Sequence, residues 1–245
     1  YKNGFLINQL FIESTTGIVS ARDSLVISET KEELKSRIDK FCNQDKSDND
    51  IRSEFFTGKK DGKYKTGDSR GWKLEQARKS ICTDDHEKFI QKINYRPFDQ
   101  RYIYYHSKMV DWGREKLMRN FLAGENYGLI VPKQLAPNEN SGGYITRYIG
   151  GHKTFSAFNS NYYFPLYLYE KGSIGASGTI KFERQPNFQL STARKIAECI
   201  GMVYYPIAEY ETIQPDKRLT PEDIFDYIYA VLHSPNYREK YKDFL

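Results

Sequence analysis

The chain has 245 residues, of which 39% are hydrophobic and 28% charged, with a formal net charge of +5 and a pI near 8.8. This composition is typical of a globular protein, and no apolar run approaches the roughly 18 residues that a membrane-spanning helix needs. Mild basicity permits nucleic-acid binding without requiring it. Three scattered cysteines and four dispersed histidines exclude a disulfide framework and a Cys/His metal site, so we expect no metal and a reducing cytoplasm.

The chain begins at Tyr1, without an initiating methionine, and ends at Leu245 inside a predicted helix. We therefore interpret it as a segment of a longer polypeptide. It contains 20 tyrosines, which suit half-buried surfaces because one end of the side chain is apolar and the other forms hydrogen bonds. The tyrosines favour extensive interaction surfaces, with a tyrosine-rich core as the alternative.

The N-terminal part predicts a short strand at residues 24–28 and then a helix. Thr30 is the predicted N-cap of this helix, and Glu33 completes a capping box. Residues 43–71 are polar and punctuated by glycine, which predicts a long loop or linker with a basic second half. This segment would separate an N-terminal lobe or connector, residues 1–42, from a domain spanning residues 72–245.

The rest of the chain alternates between the two kinds of element. Helices are predicted near residues 74–81 and 114–122, and strands in the middle of the chain at 102–105, 128–131 and 162–169, with Pro165 at a sheet edge or strand start. In the last third, Ser191 is a predicted N-cap and Gly201 a helix-ending glycine, while Thr220-Pro221 begins an apolar helix. We predict an α+β fold with a central mixed or antiparallel sheet and helices gathered toward the N- and C-terminal parts.

The common catalytic motifs are missing from the sequence. It has no glycine-rich phosphate loop, no nucleophile elbow and no Asn-Pro-Pro-Tyr loop of the kind that amino-methyltransferases use to grip a flipped base. Glu32-Glu33-Leu34-Lys35 contains a carboxylate-lysine pattern found in magnesium nucleases, but it fits an exposed helical face better. We therefore expect that this chain is not catalytic by itself.

Five segments, in order along the chain, resemble the C-terminal specificity domain of type ISP restriction-modification enzymes. The first and last are long enough to be specific, and the resemblance spans residues 17 to 245. The segments are Gly17-Ile18-Val19-Ser20-Ala21-Arg22-Asp23, Tyr95-Arg96-Pro97-Phe98-Asp99-Gln100-Arg101 with Tyr104-Tyr105, Glu125-Asn126-Tyr127-Gly128-Leu129-Ile130, Tyr163-Phe164-Pro165-Leu166-Tyr167-Leu168-Tyr169, and residues 220–235 continued by Tyr237-Arg238-Glu239-Lys240-Tyr241.

In that family the domain follows an adenine-N6 methyltransferase domain, often with a helicase and a nuclease further upstream. The resemblance implies that this chain selects the DNA site and that the parent protein, possessing the methyltransferase, could also be an endonuclease. Its expected partners are double-stranded DNA and the methyltransferase domain of the same polypeptide. The chain itself should need no cofactor, whereas the parent enzyme would use S-adenosylmethionine and, with a helicase or nuclease, ATP and magnesium.

Two polar segments are the candidates for DNA contact. Residues 133–158 combine few aliphatic side chains with glycine pairs, which let a backbone approach phosphates, and with groups suited to reading base edges: Lys133, Gln134, Asn138, Asn140, Thr146, Arg147, His152, Lys153 and Ser156. The second segment offers cations for phosphate contact, at Lys59, Lys60, Lys63, Lys65 and Arg70. The alternatives are an ordinary pair of exposed loops and a mobile linker.

The signature around residue 97 has a structural interpretation. Arg96, Asp99 and Arg101 alternate with apolar residues, and Pro-Phe between the charges suits a rigid corner, so we predict a buried ion pair there. Asp226 and His233 are predicted to be satisfied polar residues of the last apolar helix. That helix and the abundant tyrosines also support an alternative function, a protein-protein docking module within a restriction-modification complex.

Overall fold

The computed structural model describes residues 6–57, 62–134, 142–156, 158–174, 180–206 and 217–240. The chain forms two compact units. Ile18–Gly113 form one of them, here called the continuous unit, and Tyr1–Gly17 together with Arg114–Leu245 form the other, here called the split unit. The boundaries expected from the sequence, after residues 42 and 71, both fall inside the continuous unit.

Helices and strands are mixed along the chain, as the predicted α+β class requires. The helices are α1 (Ile7–Leu10), α2 (Asp23–Val26), α3 (Lys31–Phe41), α4 (Asp48–Phe55), α5 (Leu74–Ile81), α6 (Glu115–Met118), α7 (Leu190–Cys199), α8 (Pro221–His233) and α9 (Pro235–Lys240). The strands are β1 (Thr15–Thr16), β2 (Ile27–Ser28), β3 (Ile90–Arg96), β4 (Asp99–Tyr104), β5 (Gly128–Pro132), β6 (Tyr144–Thr146), β7 (Ile149–Gly150), β8 (Asn161–Pro165), β9 (Tyr167–Ile174), β10 (Ile180–Pro186), β11 (Val203–Tyr204) and β12 (Arg218–Leu219). None of the helices within the described ranges is both long and apolar enough to cross a membrane.

The continuous unit packs helices against a small antiparallel sheet. Strand β4 lies between β2 and β3, and β3 and β4 form a hairpin whose turn contains Pro97 and Phe98. The apolar face of α3 is fully buried through Leu34, Ile38 and Phe41, because these residues recur at helical spacing. The signature around residue 97, here called the hairpin signature, therefore belongs to the sheet of this unit.

Two predictions for the continuous unit are wrong. Residues 24–28 are not one strand, since the one-turn helix α2 precedes the two-residue strand β2. Residues 43–71 are not one long loop, because α4 forms within them. Ser47 and Asp50 make a reciprocal capping box at its start, and Ile51 is buried on its inner face. A single buried aliphatic residue in a polar stretch was too weak a signal for a helix.

The split unit contains an antiparallel sheet in the order β1-β8-β5-β6. Pro165 ends β8 opposite Gly128 of β5, so this proline closes an interior strand and lies neither at a sheet edge nor at a strand start. Strands β9 and β10 form an antiparallel pair, and β11 and β12 a short parallel pair. The α+β class is confirmed, with several small sheets in place of one central sheet.

Helix ends were predicted well where the signal is local. Thr30 Oγ1 accepts a hydrogen bond from the Glu33 N–H, and Thr220 and Asp223 form a full capping box at α8. Gly201 follows α7 with a φ of +72°, the left-handed conformation that favours glycine. The prediction for Ser191 is wrong, because α7 begins two residues earlier than predicted, at Leu190, and Gln189 occupies its N-cap position.

The tyrosines contribute strongly to the core. Tyr104 and Tyr163 are fully buried, and Tyr167, Tyr169 and Tyr204 are less than a tenth exposed. The Tyr163 hydroxyl donates to the Gly151 carbonyl oxygen at 2.9 Å and contacts Thr154 Oγ1 at the same distance. These five of the 20 tyrosines are therefore core residues, so a tyrosine-containing core accounts for part of the tyrosine content.

Candidate nucleic-acid interface

The first predicted DNA-contact segment begins directly after β5 in the split unit. Lys133 and Gln134 are exposed there, and the Lys133 N–H donates to the Ser160 carbonyl oxygen at 2.8 Å. The backbone bond fixes the start of the segment while both side chains point to solvent. Asn138 and Asn140 lie outside the described residues.

Thr146 and Ser156 face inward. Thr146 is 5% exposed, and its hydroxyl bridges the N–H and carbonyl oxygen of Tyr148, each at 3.0 Å. Ser156 is 1% exposed, and its Oγ accepts from the Phe158 and Asn159 N–H groups. Both hydroxyls complete turns within the segment, so they shape it and do not present donors to a base.

Among the described side chains of this segment, Arg147 has the position that best suits the base contact predicted from the sequence. It lies on the bend after β6 and is exposed, with its guanidinium 4.7 Å from the ring centroid of Tyr127 and Nη2 bonded to the Tyr127 hydroxyl. Such a contact at an exposed site contributes about 0.5–1 kcal/mol and limits the orientations of the arginine. Lys153 is exposed nearby in sequence, and His152 is half-buried.

Gly150 and Gly151 of this segment pack closely against other parts of the split unit. A Cβ added at Gly150 would lie 2.1 Å from the Tyr163 hydroxyl oxygen, and one at Gly17 would lie 2.3 Å from the Gly151 carbonyl carbon. Both contacts are far below any real Cβ distance. The close approach that these glycines allow is therefore within the split unit, which explains their presence without a phosphate.

The second predicted segment belongs to the continuous unit. Lys63, Lys65 and Arg70 are exposed, whereas Lys59 and Lys60 lie outside the described residues. Lys65 Nζ is 2.9 Å from Glu75 Oε1, so part of its charge is neutralised at the surface. Lys63 and Arg70 remain the stronger candidates for phosphate contact.

A buried ion pair fixes the chain that carries these cations. Arg52 Nη1 lies 2.7 Å from Asp68 Oδ1, and both side chains are about 5% exposed. Asp68 also accepts from the Leu74 N–H at 3.1 Å. Burial alone would raise the pKa of Asp68, but the bonds from Arg52 and Leu74 outweigh it and hold that pKa below its ordinary value. The second half of the predicted linker is thus tied to α4 and α5.

The hairpin signature forms an ion pair that is only half-buried. Arg101 donates to both carboxylate oxygens of Asp99, and the two side chains are 30% and 35% exposed. Arg96 is exposed and donates to the Tyr95 carbonyl oxygen. The predicted ion pair is present, but its predicted burial is wrong, because the tip of the hairpin is exposed to solvent.

Exposed aromatic residues were missed by the sequence analysis. Phe98, Phe158 and Trp112 are 92%, 76% and 59% exposed, and Phe98 occupies the hairpin turn with a φ of +61°. Large exposed aromatics indicate contact surfaces when they cluster with cations. Among the described residues, no group of His, Cys, Asp and Glu is arranged to hold a metal ion.

Solved structures share this fold at low sequence identity. The structure described as a DrdV-DNA complex has a TM-score of 0.60 and 21% identity. The match covers 95% of this chain and 20% of the DrdV chain. The type ISP restriction-modification enzyme LlaBIII bound to DNA has a TM-score of 0.63 and 18% identity, covering 99% of this chain and 14% of its own. A nuclease-deletion mutant of the type ISP enzyme LlaGI in complex with a DNA substrate mimic has a TM-score of 0.56 and 17% identity. The match covers 98% of this chain and 16% of the LlaGI chain.

This chain therefore corresponds to at most a fifth of the length of those enzymes. No curated protein matches it. Residues 9–245 match the family described as the Type ISP C-terminal specificity domain. This match covers nearly the whole chain, including every segment in which the sequence resembles the family. The chain belongs to the type ISP C-terminal specificity domain family.

Proposed function

We propose that this chain is the DNA sequence-recognition domain of a restriction-modification adenine-N6 methyltransferase. It positions duplex DNA for a methyltransferase domain elsewhere in the same polypeptide. The observation that carries the proposal is the family match over residues 9–245. The likeness to three enzymes whose structures are described with DNA or a DNA mimic supports the same fold-level assignment.

The exposed polar side chains suit two kinds of DNA contact, with base edges and with phosphates. Arg147 suits bidentate contact with guanine and Gln134 suits adenine, and each good pair of this kind discriminates by about 1–3 kcal/mol. Lys63, Lys153 and Arg70 suit phosphate contacts, which fix register without reading sequence.

S-adenosylmethionine would be bound by the methyltransferase domain, and ATP and magnesium by any helicase or nuclease of the parent enzyme. The free cysteines Cys42, Cys82 and Cys199 suit a cytoplasmic location.

Fluorescence anisotropy with labelled mixed-sequence duplex DNA, at several salt concentrations, tests this function. We expect micromolar or tighter binding that weakens linearly on a log-log salt plot, because counterions are released from neutralised phosphates. Selection from a random duplex pool should then return one site. Absence of binding even at low salt would contradict the proposal.

A variant pair separates base reading from general attraction. Arg147→Ala should weaken binding to the selected site by about tenfold or more while changing mixed-sequence affinity little. Arg194→Ala removes the same charge from the exposed face of α7 and is the matched control. Equal effects of the two variants on both duplexes would reject Arg147 as a base reader.

A docking function is the second candidate, favoured by an apolar groove in the split unit. The groove has a volume of about 750 Å³, and Leu6, Ile200 and Tyr227 along it are each more than half exposed. Its occupant would be the methyltransferase domain of the same polypeptide. Ile200→Glu should leave the thermal stability of this 245-residue chain unchanged but lower that of the parent enzyme, and unchanged stability of both would reject docking at this surface.

A further inference from the structure

A second groove, in the continuous unit, combines cations with an exposed indole. It has a volume of about 980 Å³ and lies between α5 and the segment around residues 107–112. Lys79 of α5 and Lys108 of that segment line it, together with Arg70. All three side chains belong to exposed residues. Arg70 belongs to the basic segment recognised from the sequence, Lys79 follows that segment on α5, and Lys108 comes from a part of the chain that is distant in sequence.

The wall of the groove is rigid. Trp72 is 5% exposed, and its indole N–H donates to the Lys108 carbonyl oxygen at 2.7 Å. The guanidinium of Arg22 stacks on the Trp72 ring at 4.0 Å from its centroid. These contacts fix the backbone that carries Lys108, so little conformational entropy is lost when the groove is filled.

The acid in the groove is already neutralised. Asp111 lines the groove, and its carboxylate forms an ion pair with Arg22, whose side chain is 3% exposed. The exposed charge is therefore cationic. Trp112 adds an indole face that is 59% exposed beside these cations, and Gln76 and Ser107 add neutral hydrogen-bonding groups.

We propose that this groove binds the sugar-phosphate backbone of one strand of the DNA duplex. Lys79, Lys108 and Arg70 contact phosphates, and Trp112 packs against a deoxyribose. Lysine, arginine, serine and amide groups are the usual donors to the backbone, and such contacts position DNA without reading its sequence. The inference rests on the proposed DNA-recognition function and deepens it by assigning a second, sequence-independent contact surface to the continuous unit.

The salt dependence of binding tests the cations. Each phosphate contact contributes about 0.9 to the log-log salt slope, so Lys79→Ala with Lys108→Ala should lower the slope by about 2. Lys40→Ala with Lys88→Ala is the matched control, since it removes the same charge from exposed lysines outside the groove lining. We expect the control to retain the wild-type slope within about 0.5. Thermal stability of both double variants equal to that of the wild type would establish that folding is intact.

Tryptophan fluorescence tests the groove without a charge change. The chain has two tryptophans, and Trp112 is the exposed one while Trp72 is buried. Acrylamide, a neutral quencher, should quench wild-type emission strongly in free protein and weakly after saturation with duplex DNA. Trp112→Phe should remove most of the quenchable emission and its response to DNA.

The possible failures are distinct. If the wild type binds DNA with a steep salt slope, yet the groove variant behaves like the control and acrylamide still reaches Trp112, the groove assignment is overturned and DNA recognition stands. If the wild type binds no duplex at any salt concentration, the proposed function and the groove assignment fail together. A slope loss confined to the groove variant, with protection of Trp112, supports both.

Discussion

The two units bury polar groups by different means. The continuous unit buries charged guanidinium groups, at Arg22, Arg52 and Arg78, each less than a tenth exposed. The split unit buries neutral amides, at Asn120, Asn126, Asn161 and Asn187, each at most 5% exposed. Both kinds of side chain satisfy backbone groups in irregular parts of the chain, but only the buried arginines also depend on a partner carboxylate.

Arg78 illustrates the charged kind. Its guanidinium donates to the carbonyl oxygens of Phe41, Asn43 and Lys46 and also bonds Asp48. One side chain thereby closes the connection between α3 and α4. The carbonyl oxygens and the carboxylate together satisfy a charge that would be very unfavourable if left alone.

Asn187 illustrates the neutral kind. Its amide N–H groups donate to the carbonyl oxygens of Glu13 and Pro165, each at 2.8 Å, and its Oδ1 accepts from the Glu13 N–H. One amide therefore joins the N-terminal segment of the split unit to the remainder of that unit. Loss of a buried charge in the continuous unit should therefore be more costly than loss of a buried amide in the split unit.

The largest effect is expected for Arg52→Met in the continuous unit. It would leave the Asp68 carboxylate buried without its guanidinium, and breaking a buried pair costs about 3–5 kcal/mol. Urea denaturation would measure the free energy of unfolding. Lys46→Met is the control, because Lys46 and its partner Glu54 are 41% and 36% exposed, and it should cost about 1 kcal/mol or less. Similar losses from both variants would contradict the special role of the buried pair.

Asn187→Ala should have the next largest effect, about 2–4 kcal/mol, because three backbone groups lose their partner. Hydrogen exchange should show the loss in the split unit, at β8 and the segment around Glu13. Asn159→Ala, at a half-buried position in the same unit, should change stability by about 0.5 kcal/mol. A loss below about 1 kcal/mol for Asn187→Ala would show that water replaces the amide.

Acidification should separate the two units. Hydrogen bonds from Ser28, Ser47, Lys65 and Lys35 hold the pKa values of four carboxyl groups of the continuous unit below their ordinary range, at Glu33, Asp50, Glu75 and Glu87. Asp68 in the same unit also has a lowered pKa. A lowered folded-state pKa contributes stability above the unfolded value of about 4 and loses it as pH falls through the folded value.

We therefore expect amide protection in the continuous unit to fall first as the pH is lowered from about 5 to about 3. The hydrogen bonds made by the side-chain amides of Asn120, Asn126 and Asn187 involve no charged group. The protection that they give the split unit should therefore persist to lower pH. Hydrogen exchange corrected for its intrinsic pH dependence would measure both units in one sample. Simultaneous loss in the two units would remove the predicted difference.

The smallest effect is expected at the hairpin turn. Phe98→Gly should raise the free energy of unfolding by about 0.5–1 kcal/mol, because glycine adopts the φ of +61° without strain and the ring is 92% exposed. Phe158→Gly serves as the control, since Phe158 is also exposed but is not among the described residues with positive φ. It should lower stability slightly through the added freedom of the unfolded chain. A loss of stability in Phe98→Gly would indicate that the ring is held by packing.

Local signals in the sequence predicted much of the fold, and long-range ones did not. The caps at Thr30 and Thr220 depend on residues three positions apart, so the sequence contains the whole signal. The ion pair of Arg22 with Asp111 joins residues 89 positions apart, and a buried arginine looks like a surface cation until its partner is known. The groove of the continuous unit was missed for the same reason.

The candidate interface was predicted by residue type but not by direction. Arg147 and Lys153 are exposed as base or phosphate contacts require, whereas Thr146 and Ser156 turn inward to complete turns. A hydroxyl in a polar loop serves either purpose, and the backbone conformation decides between them. The sequence therefore proposes a segment for DNA contact but does not show which of its side chains reach the surface.

The pairing of Val19 with Trp112 has a consequence for how such proteins change. The Val19 N–H donates to the Trp112 carbonyl oxygen at 3.0 Å, and the Trp112 N–H donates back to Val19 at 3.1 Å. Val19 and Trp112 each lie one residue inside an end of the continuous unit, so the unit is an insertion whose ends are close together. Insertions with adjacent ends are readily exchanged between related scaffolds, because the host chain needs only a short splice. The continuous unit is thus suited to being transplanted as a module, by recombination in nature or by design in the laboratory.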